Sequence, residues 1–240
     1  MPRFYVDDIG QTLTLNEDES RHCVKVLRLA EGDHISVVDG KGKCYECHID
    51  QAHSKHCHVA IDEVREEPPS WGHQIVVAVS PTKNLDRMEW LTEKCTEMGV
   101  DKLVPLLCHN SERKVLKTER LKKIAVSAMK QSKKSVLPAI SEMTPLKDVL
   151  EGEFEGNRFI AYCDMMLPRE LRRSFAKEYV PGADTLVLVG PEGDFSPEEV
   201  ELALKNGFVP VSLGESRLRT ETAAMVACAT CHAIDDATAK

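Results

Sequence analysis

A chain of 240 residues, 42% of them hydrophobic, has material for one large or two modest packed domains. No stretch approaches the about 18 apolar residues of a membrane span, and Met1-Pro2-Arg3-Phe4 lacks the apolar core of a signal peptide, so a soluble cytoplasmic protein with no membrane partner is expected. The net charge of −8 argues against indiscriminate binding to nucleic acid.

From the amino end, Arg3 to Val6 and Thr12 to Leu15 alternate or run apolar as short strands do, a helical stretch covers Asp18 to Leu29, and Gly32-Asp33 marks a turn. His34 to Asp39, Gly42 to Asp50 and His56 to Val64 predict further strands, the first two joined by the hairpin signal Gly40-Lys41-Gly42. Several short strands with little helix predict a small β-barrel. The polar, stiff Glu66-Glu67-Pro68-Pro69-Ser70 then sets a boundary, giving domains at 1–67 and 73–240.

The pattern changes beyond it. Gln74 to Val79 reads as a buried strand, and Asn84 to Met98 as a helix with Met88, Leu91, Cys95 and Met98 at helical spacing, closed by Gly99. Glu89, Glu93 and Glu97 follow each other one turn apart and read as a solvated face that pairs with Lys94 rather than as acid–base groups. Leu103 to Leu107 and Arg158 to Cys163 are predicted strands, Thr118 to Ser132 and Arg169 to Glu178 predicted helices. Alternating strands and helices imply a mostly parallel α/β sheet.

Charge is lopsided along this part. From Arg113 to Lys134 there are nine basic residues against the single acid Glu119, a patch near +8 on a body near −16. Such a patch neutralises phosphates locally while the rest of the chain limits loose binding; a solvated helix face is the alternative.

Nine cysteines, an odd number without an export signal, read as reduced thiols. Cys228-Ala229-Thr230-Cys231-His232 fits a haem-attachment pattern, but on a helix both thiols share a face with Ala224 as core residues do. In the cluster Cys44, Cys47, His48, His53, His56, Cys57 and His58, strand geometry sends Cys44 and Cys47 to opposite faces, so no metal is expected there.

The chain is organised around the run from Thr185 to Ala224. Thr185 to Val189 is a short apolar β-branched strand that stops at Gly190-Pro191-Glu192-Gly193-Asp194. Ser196-Pro197-Glu198-Glu199 supplies a cap hydroxyl, a proline at the first helical position and an acid three residues on, so a helix starts here and ends at Asn206-Gly207. Phe208 to Leu213 is the next strand, followed by Gly214, by Arg217-Leu218-Arg219-Thr220-Glu221-Thr222 and by an alanine-rich helix to about Ile234. In a parallel sheet ligands bind beyond the carboxyl ends of strands, so two such loops would face one crevice, where glycines let the backbone approach a ligand. Neither loop is G-x-G-x-x-G or a Walker sequence, which counts against a dinucleotide or nucleoside triphosphate.

Gly190-Pro191-Glu192-Gly193, Ser212-Leu213-Gly214 and Leu218-Arg219-Thr220-Glu221-Thr222-Ala223 resemble, in order and spacing, the signature blocks of the small-subunit (16S) ribosomal RNA uracil-N3 methyltransferases of the SPOUT superfamily. Lys83 to Glu89, Glu93-Lys94, Glu97-Met98-Gly99, Gln131-Ser132, Pro138, Arg28-Leu29 and Asp39 to Gly42 extend the resemblance almost from end to end. Two departures stand out: Asp194 where the family has a second glycine, and Ser216-Arg217 in place of Arg-Ile.

The resemblance implies a SPOUT-type knotted parallel-sheet methyltransferase domain preceded by a PUA-like RNA-binding β-barrel, S-adenosylmethionine as cofactor, a homodimer, and 16S ribosomal RNA of the small subunit as partner. It implies that Val189, Gly190, Pro191, Gly193, Ser212, Leu213, Gly214, Leu218 and Thr222 hold the cofactor. A ring N–H is a poor nucleophile, so the site must take its proton or stabilise the anion. Arg219 is the first candidate for that charge, Arg217 its understudy and Glu221 the proton acceptor, with a capping role as the alternative for Glu221. Arg3, Arg28, Lys41, Lys83, Arg87, Arg113, Lys122, Lys123, Lys133 and Lys134 are the expected RNA-binding cations. Two rivals are weighed: a phosphoryl-transfer enzyme, for which the Gly190 turn offers acids but no lysine, and a non-catalytic RNA-binding factor.

Overall fold

The computed structural model describes residues 1–162 and 173–239. These fall into two units: Met1–Ser70 with Val126–Leu137, and Trp71–Ala125 with Pro138–Lys240.

In the first unit β1 (Arg3–Tyr5), β2 (His34–Val38), β3 (Lys43–Gln51) and β4 (His58–Glu66) form one sheet in that order, β1 parallel to β2 and the rest antiparallel. The expected strand at Thr12 to Leu15 is instead a short helix, α1 (Ile9–Thr12), and an irregular stretch that pairs with the start of β4, Leu15 N–H donating to Cys57 O (2.9 Å) and Val59 N–H to Leu13 O (3.0 Å). With a left-handed Leu13 between them (φ 50°), these four residues cannot extend as a strand. The helix expected over Asp18 to Leu29 is α2 (Glu17–Arg21), capped by Asn16, running into a π-helical turn (His22–Val26) before Arg28 turns left-handed (φ 59°). Phe4, Ile9, Leu15, Ile35, Ile49 and Val59 are the core of this unit.

Residues 126–137 belong with this unit although they lie far along the chain. Met129 is buried against Val38 and Cys44, Lys130 Nζ reaches Glu19 Oε1 (2.5 Å), and Ser135 donates to Glu67. The division between the units falls between Ser70 and Trp71 and again inside helix α4 (Glu119–Gln131).

In the second unit β5 (Ile75–Val79), α3 (Leu85–Met98), β6 (Lys102–Leu107), β7 (Ala139–Ile140), β8 (Thr144–Pro145), α5 (Leu146–Glu151), β9 (Asn157–Ala161), β10 (Arg173–Ser174), α6 (Phe175–Glu178), β11 (Thr185–Val189), α7 (Pro197–Lys205), β12 (Val209–Ser212) and α8 (Thr220–Thr238) follow the chain. The sheet order is β10-β12-β9-β11-β5-β6-β7, with β8 also on β6, and its pairings are parallel. Of the helix expected over Arg169 to Glu178, positions 169–172 lie outside the described residues, as does Cys163 of the strand before it; among the described residues Arg173–Ser174 is strand and Phe175–Glu178 is helical.

Every residue of β5 and β11 is buried, as their continuous apolar runs require in a sheet covered on both faces. Alternation sorts them. Val77, Val79, Val187 and Val189 pack on one face with Leu91 and Cys95 of α3 and Ala224, Ala227, Cys228 and Cys231 of α8; Val76, Ala78, Leu186 and Leu188 face Leu146 and Leu150 of α5 and Val200 and Ala203 of α7. The Cys-x-x-Cys-His stretch is thus core, and His232 Nε2 donates to Gly99 O (3.2 Å) with its ring edge-on to Trp71. Cys44 and Cys47 separate into two different clusters, and among the described residues no group of three His, Cys, Asp or Glu could hold a metal ion.

Candidate active site

Both bends found in the sequence sit at the carboxyl end of the parallel sheet, and they touch. β11 lies between β5 and β9, β12 on the far side of β9. From β11 the chain crosses one face as α7, adds β12, and comes back over the opposite face as α8. Its return brings the first residue of α8 under the first bend, where buried Thr220 donates its hydroxyl to Gly190 O at 3.1 Å.

The first bend is a tight turn, Asp194 N–H donating to Pro191 O (2.9 Å), and it feeds the capping box of α7, in which Ser196 Oγ accepts from Glu199 N and Glu199 Oε2 from Ser196 N. Asp194 is left-handed (φ 60°), a conformation that glycine adopts without steric cost. The departure is tolerated because Asp is among the residues that visit this region, and its Oδ1 accepts the Phe195 N–H (2.8 Å). Gly190 and Gly193 have a packing reason besides the one read in the sequence. A Cβ on Gly190 would lie 3.0 Å from the buried Phe195 ring, and one on Gly193 3.3 Å from Asn110 Cβ, so both are small for packing within the chain. Gly214, at φ 135° with open space around its missing Cβ, is the glycine whose backbone faces outward.

Sequence reading missed the brace on the first bend. Asn110 Nδ2 donates to the carbonyls of Gly193 (3.3 Å) and Asp194 (3.1 Å), and His109 N–H donates to Glu199 Oε1 (2.7 Å). The available signal was the polar run Cys108-His109-Asn110-Ser111, which follows β6 at the same end of the sheet.

A cavity of about 350 Å³ opens between the first turns of α3 and α8, lined by Asp86, Arg87, Trp90, Arg219, Glu221 and Thr222. Arg219 and Glu221 therefore both line it, whereas exposed Arg217 is not part of the lining. Thr222 lines this cavity; Val189, Gly190, Pro191, Gly193, Ser212, Leu213, Gly214 and Leu218 lie along the two bends beside it. Arg87, expected to hold RNA, instead reaches inward, Nε 3.6 Å from Glu221 Oε1 and Nη1 3.4 Å from Glu192 Oε1. The Glu221 side chain is 9% exposed, and its other oxygen, Oε2, has no hydrogen-bond partner. Leaving a buried acceptor unmet costs about 1–3 kcal/mol, more for a charged one, so this carboxylate is held at a cost that a ligand donor would relieve.

The bends carry the acids Glu192, Asp194 and Glu215, the arginines Arg217 and Arg219 and no lysine, with half-buried Leu213 and Leu218 as apolar surface beside Gly214. S-adenosylmethionine, a sulfonium with an adenine and no phosphate, fits such a set; a nucleoside triphosphate does not.

The remaining expected RNA cations divide by occupation. Arg3, 14% exposed at its side chain, donates to Lys133 O (2.6 Å) and to Glu67 (3.3 Å), and Arg113 donates to Lys83 O (2.7 Å) and Thr82 O (3.4 Å); both are clamps inside their own units. Lys41 Nζ donates to Asp7 O and Lys83 pairs with Glu112. Lys122 bridges Glu119 and Glu142, which hold its ammonium above the ordinary lysine range, Glu119 first. Arg28, Lys123 and Lys133 have exposed side chains, and Lys134 is half-buried. Glu93 and Glu97 pair with Lys94, and Glu89 pairs with Arg120.

Comparison with known proteins places this geometry. Residues 69–232 match the family model for an RNA methyltransferase domain, and residues 15–62 that for an RNA methyltransferase PUA domain. The ribosomal RNA small subunit methyltransferase E of Aquifex aeolicus is 30% identical over 220 residues, 89% of this chain and 91% of its own. A probable rRNA-methyltransferase from Porphyromonas gingivalis, solved by crystallography, superposes with a TM-score of 0.93 at 44% identity over 99% of each chain. The ribosomal RNA small subunit methyltransferase E of Neisseria gonorrhoeae, crystallised with S-adenosyl methionine, superposes with a TM-score of 0.82 at 27% identity over 98% of each chain. With its parallel-sheet catalytic unit and PUA domain, the chain belongs to the RNA methyltransferase family of the ribosomal RNA small subunit methyltransferase E enzymes.

Proposed function

We propose that this enzyme transfers a methyl group from S-adenosylmethionine to N3 of a uridine in the 16S RNA of the small ribosomal subunit. The observation that carries the reading is the Thr220–Gly190 hydrogen bond, which joins the two bends and sends Arg219 and Glu221 together into the neighbouring cavity. When bound along the bends, the cofactor supplies an electrophilic methyl carbon on a sulfonium.

The chain's own residues do the rest. The N3–H bond breaks with its electron pair left on the ring and the proton passing to the carboxylate of Glu221, which lines the cavity. Positioned proton acceptors of this kind contribute about 10²–10⁴ in rate. Arg219, a permanent fork of donors, stabilises the charge that spreads onto a flanking carbonyl oxygen. Holding acceptor and donor in one orientation supplies about 7 kcal/mol or more of the barrier reduction. Residues 1–67, with Arg28 and Lys41, hold the RNA together with Lys123, Lys133 and Lys134; the knotted crossing, the homodimer and the cytoplasmic setting of the family belong to the same reading.

Mass spectrometry of 16S RNA from a deletion strain, before and after incubation with the purified protein and labelled cofactor, tests it. The expected result is one missing methyl on a uridine that the protein restores. A complete methylation pattern in the deletion strain, or no heat on titration with millimolar S-adenosylmethionine, favours the rival reading of a non-catalytic RNA-binding factor and removes this one.

A further inference from the structure

We infer that the cavity between the first turns of α3 and α8 is a reader of the uracil edge, with Trp90 as its base platform, Glu221 as the acceptor for N3–H and Arg87 and Arg219 as flanking donors. The inference rests on the uridine reading above and names the residues that select the base. An engineered cavity of about 150 Å³ holds benzene, so one of about 350 Å³ has room for a flipped pyrimidine and part of its ribose.

The polar lining suits uracil, which presents a carbonyl, an N–H and a carbonyl in a row. The lining offers the Glu221 carboxylate, with the Arg87 guanidinium 3.6 Å from its Oε1, and the guanidinium of Arg219. Arg87 spends Nε and Nη1 on Glu221 and Glu192, which fixes the plane of its fork and leaves further N–H groups for a carbonyl oxygen. Cytosine carries a lone pair at N3 and an amino group where uracil has a carbonyl, so its N3 would face the Glu221 carboxylate and its amino group a guanidinium. Sites built on such hydrogen bonds reject the wrong partner by about 10⁴–10⁵, because their own buried groups are then left unmet.

Trp90 is 40% exposed although it is a large apolar side chain, and it lines the cavity. Enzymes that act on a base within RNA take it out of the stack and hold it against an aromatic ring while reading its pairing edge. Such stacking is worth about tenfold to a hundredfold in affinity per base. The substrate of this cavity is therefore an unpaired or extruded uridine.

The experiment uses the full-length protein and small subunits reconstituted with 16S RNA bearing uridine or cytidine at the methylated position mapped by mass spectrometry. Single-turnover rates and RNA affinities are measured for wild type, Glu221→Gln, Trp90→Ala and Trp90→Phe. Wild type should prefer uridine by more than about 10³ in rate. Glu221→Gln, which keeps shape but can donate, should lose about 10² or more in rate on uridine, narrow the uridine-to-cytidine affinity ratio at least about tenfold, and keep cofactor affinity. Trp90→Ala should weaken RNA binding about tenfold, with Trp90→Phe restoring it. If wild type methylates no nucleotide of 16S RNA, the proposed function and this inference fall together. If it methylates uridine N3 while Glu221→Gln keeps both the rate and the base preference, or Trp90→Ala binds as wild type does, this inference alone is overturned.

Discussion

Thr220→Val cuts the Thr220–Gly190 bond between the two bends while keeping the side chain's volume, so no cavity confounds the result. Thr220 is 6% exposed and its hydroxyl lies 3.1 Å from the carbonyl of buried Gly190. The lost bond and the acceptor left behind together cost about 2 kcal/mol. In a chain of 240 residues each kcal/mol moves the melting midpoint by about 2–4 °C. Differential scanning fluorimetry should therefore register a fall of about 4–8 °C. Titration calorimetry with S-adenosylmethionine should register weaker binding as well, because the first residue of α8 no longer ties Gly214 and Leu218 to the first bend. Thr220→Ser keeps the hydroxyl and should retain most of both. If Thr220→Val melts and binds cofactor as the wild type does, the bond does not organise the site and the reasoning above is refuted.

Gly99 ends α3 in a left-handed conformation (φ 118°), and a Cβ there would sit 2.5 Å from the Trp71 ring. Gly99→Ala should cost about 2–4 kcal/mol through strain and overpacking, visible in urea unfolding; an unchanged midpoint would contradict it. All eight cysteines at described positions are free and buried, with burial pushing the Cys47 and Cys108 thiols up to about 12. They should resist iodoacetamide at pH 8 in the native protein, and rapid labelling at any of them by mass spectrometry would show that the packing described here opens. Replacing Lys123 and Lys133 by Ala should lower the slope of log affinity for RNA against log salt by about 0.7–0.9 for each phosphate that is no longer neutralised. Lys122→Ala, which removes a lysine already paired with Glu119 and Glu142, should change the slope less. Equal slopes for wild type and the double variant would make these lysines plain surface.

Much of the catalytic unit was legible because its elements are locally determined. Ser196, Pro197 and Glu199 write the start of α7, Asn84 and Gly99 bracket α3, and the apolar run at Thr185 to Val189 has nowhere to go except a strand covered on both faces. Where local signals were weak the reading slipped. Thr12 to Leu15 alternates like a strand but follows a one-turn helix and meets β4 through only a few bonds. Residues 126–131 continue a helix smoothly from 119, so nothing in the sequence marks where the stretch that belongs to the first unit, 126–137, begins.

The site divides the same way. Residue types and spacing determined that two charged, glycine-bearing bends follow consecutive strands, that Arg219 and Glu221 share a helix start, and that Cys228 and Cys231 are core. Only the folded chain decided that those bends touch, that Asn110 braces one of them, and that Arg87, 134 residues before Glu221 in the chain, turns inward to that carboxylate while its second oxygen stays without a donor. Capping and periodicity act over a few neighbouring residues and survive in the linear text. The pairing of distant side chains depends on which strand lies beside which, and that is set by how the whole sheet packs.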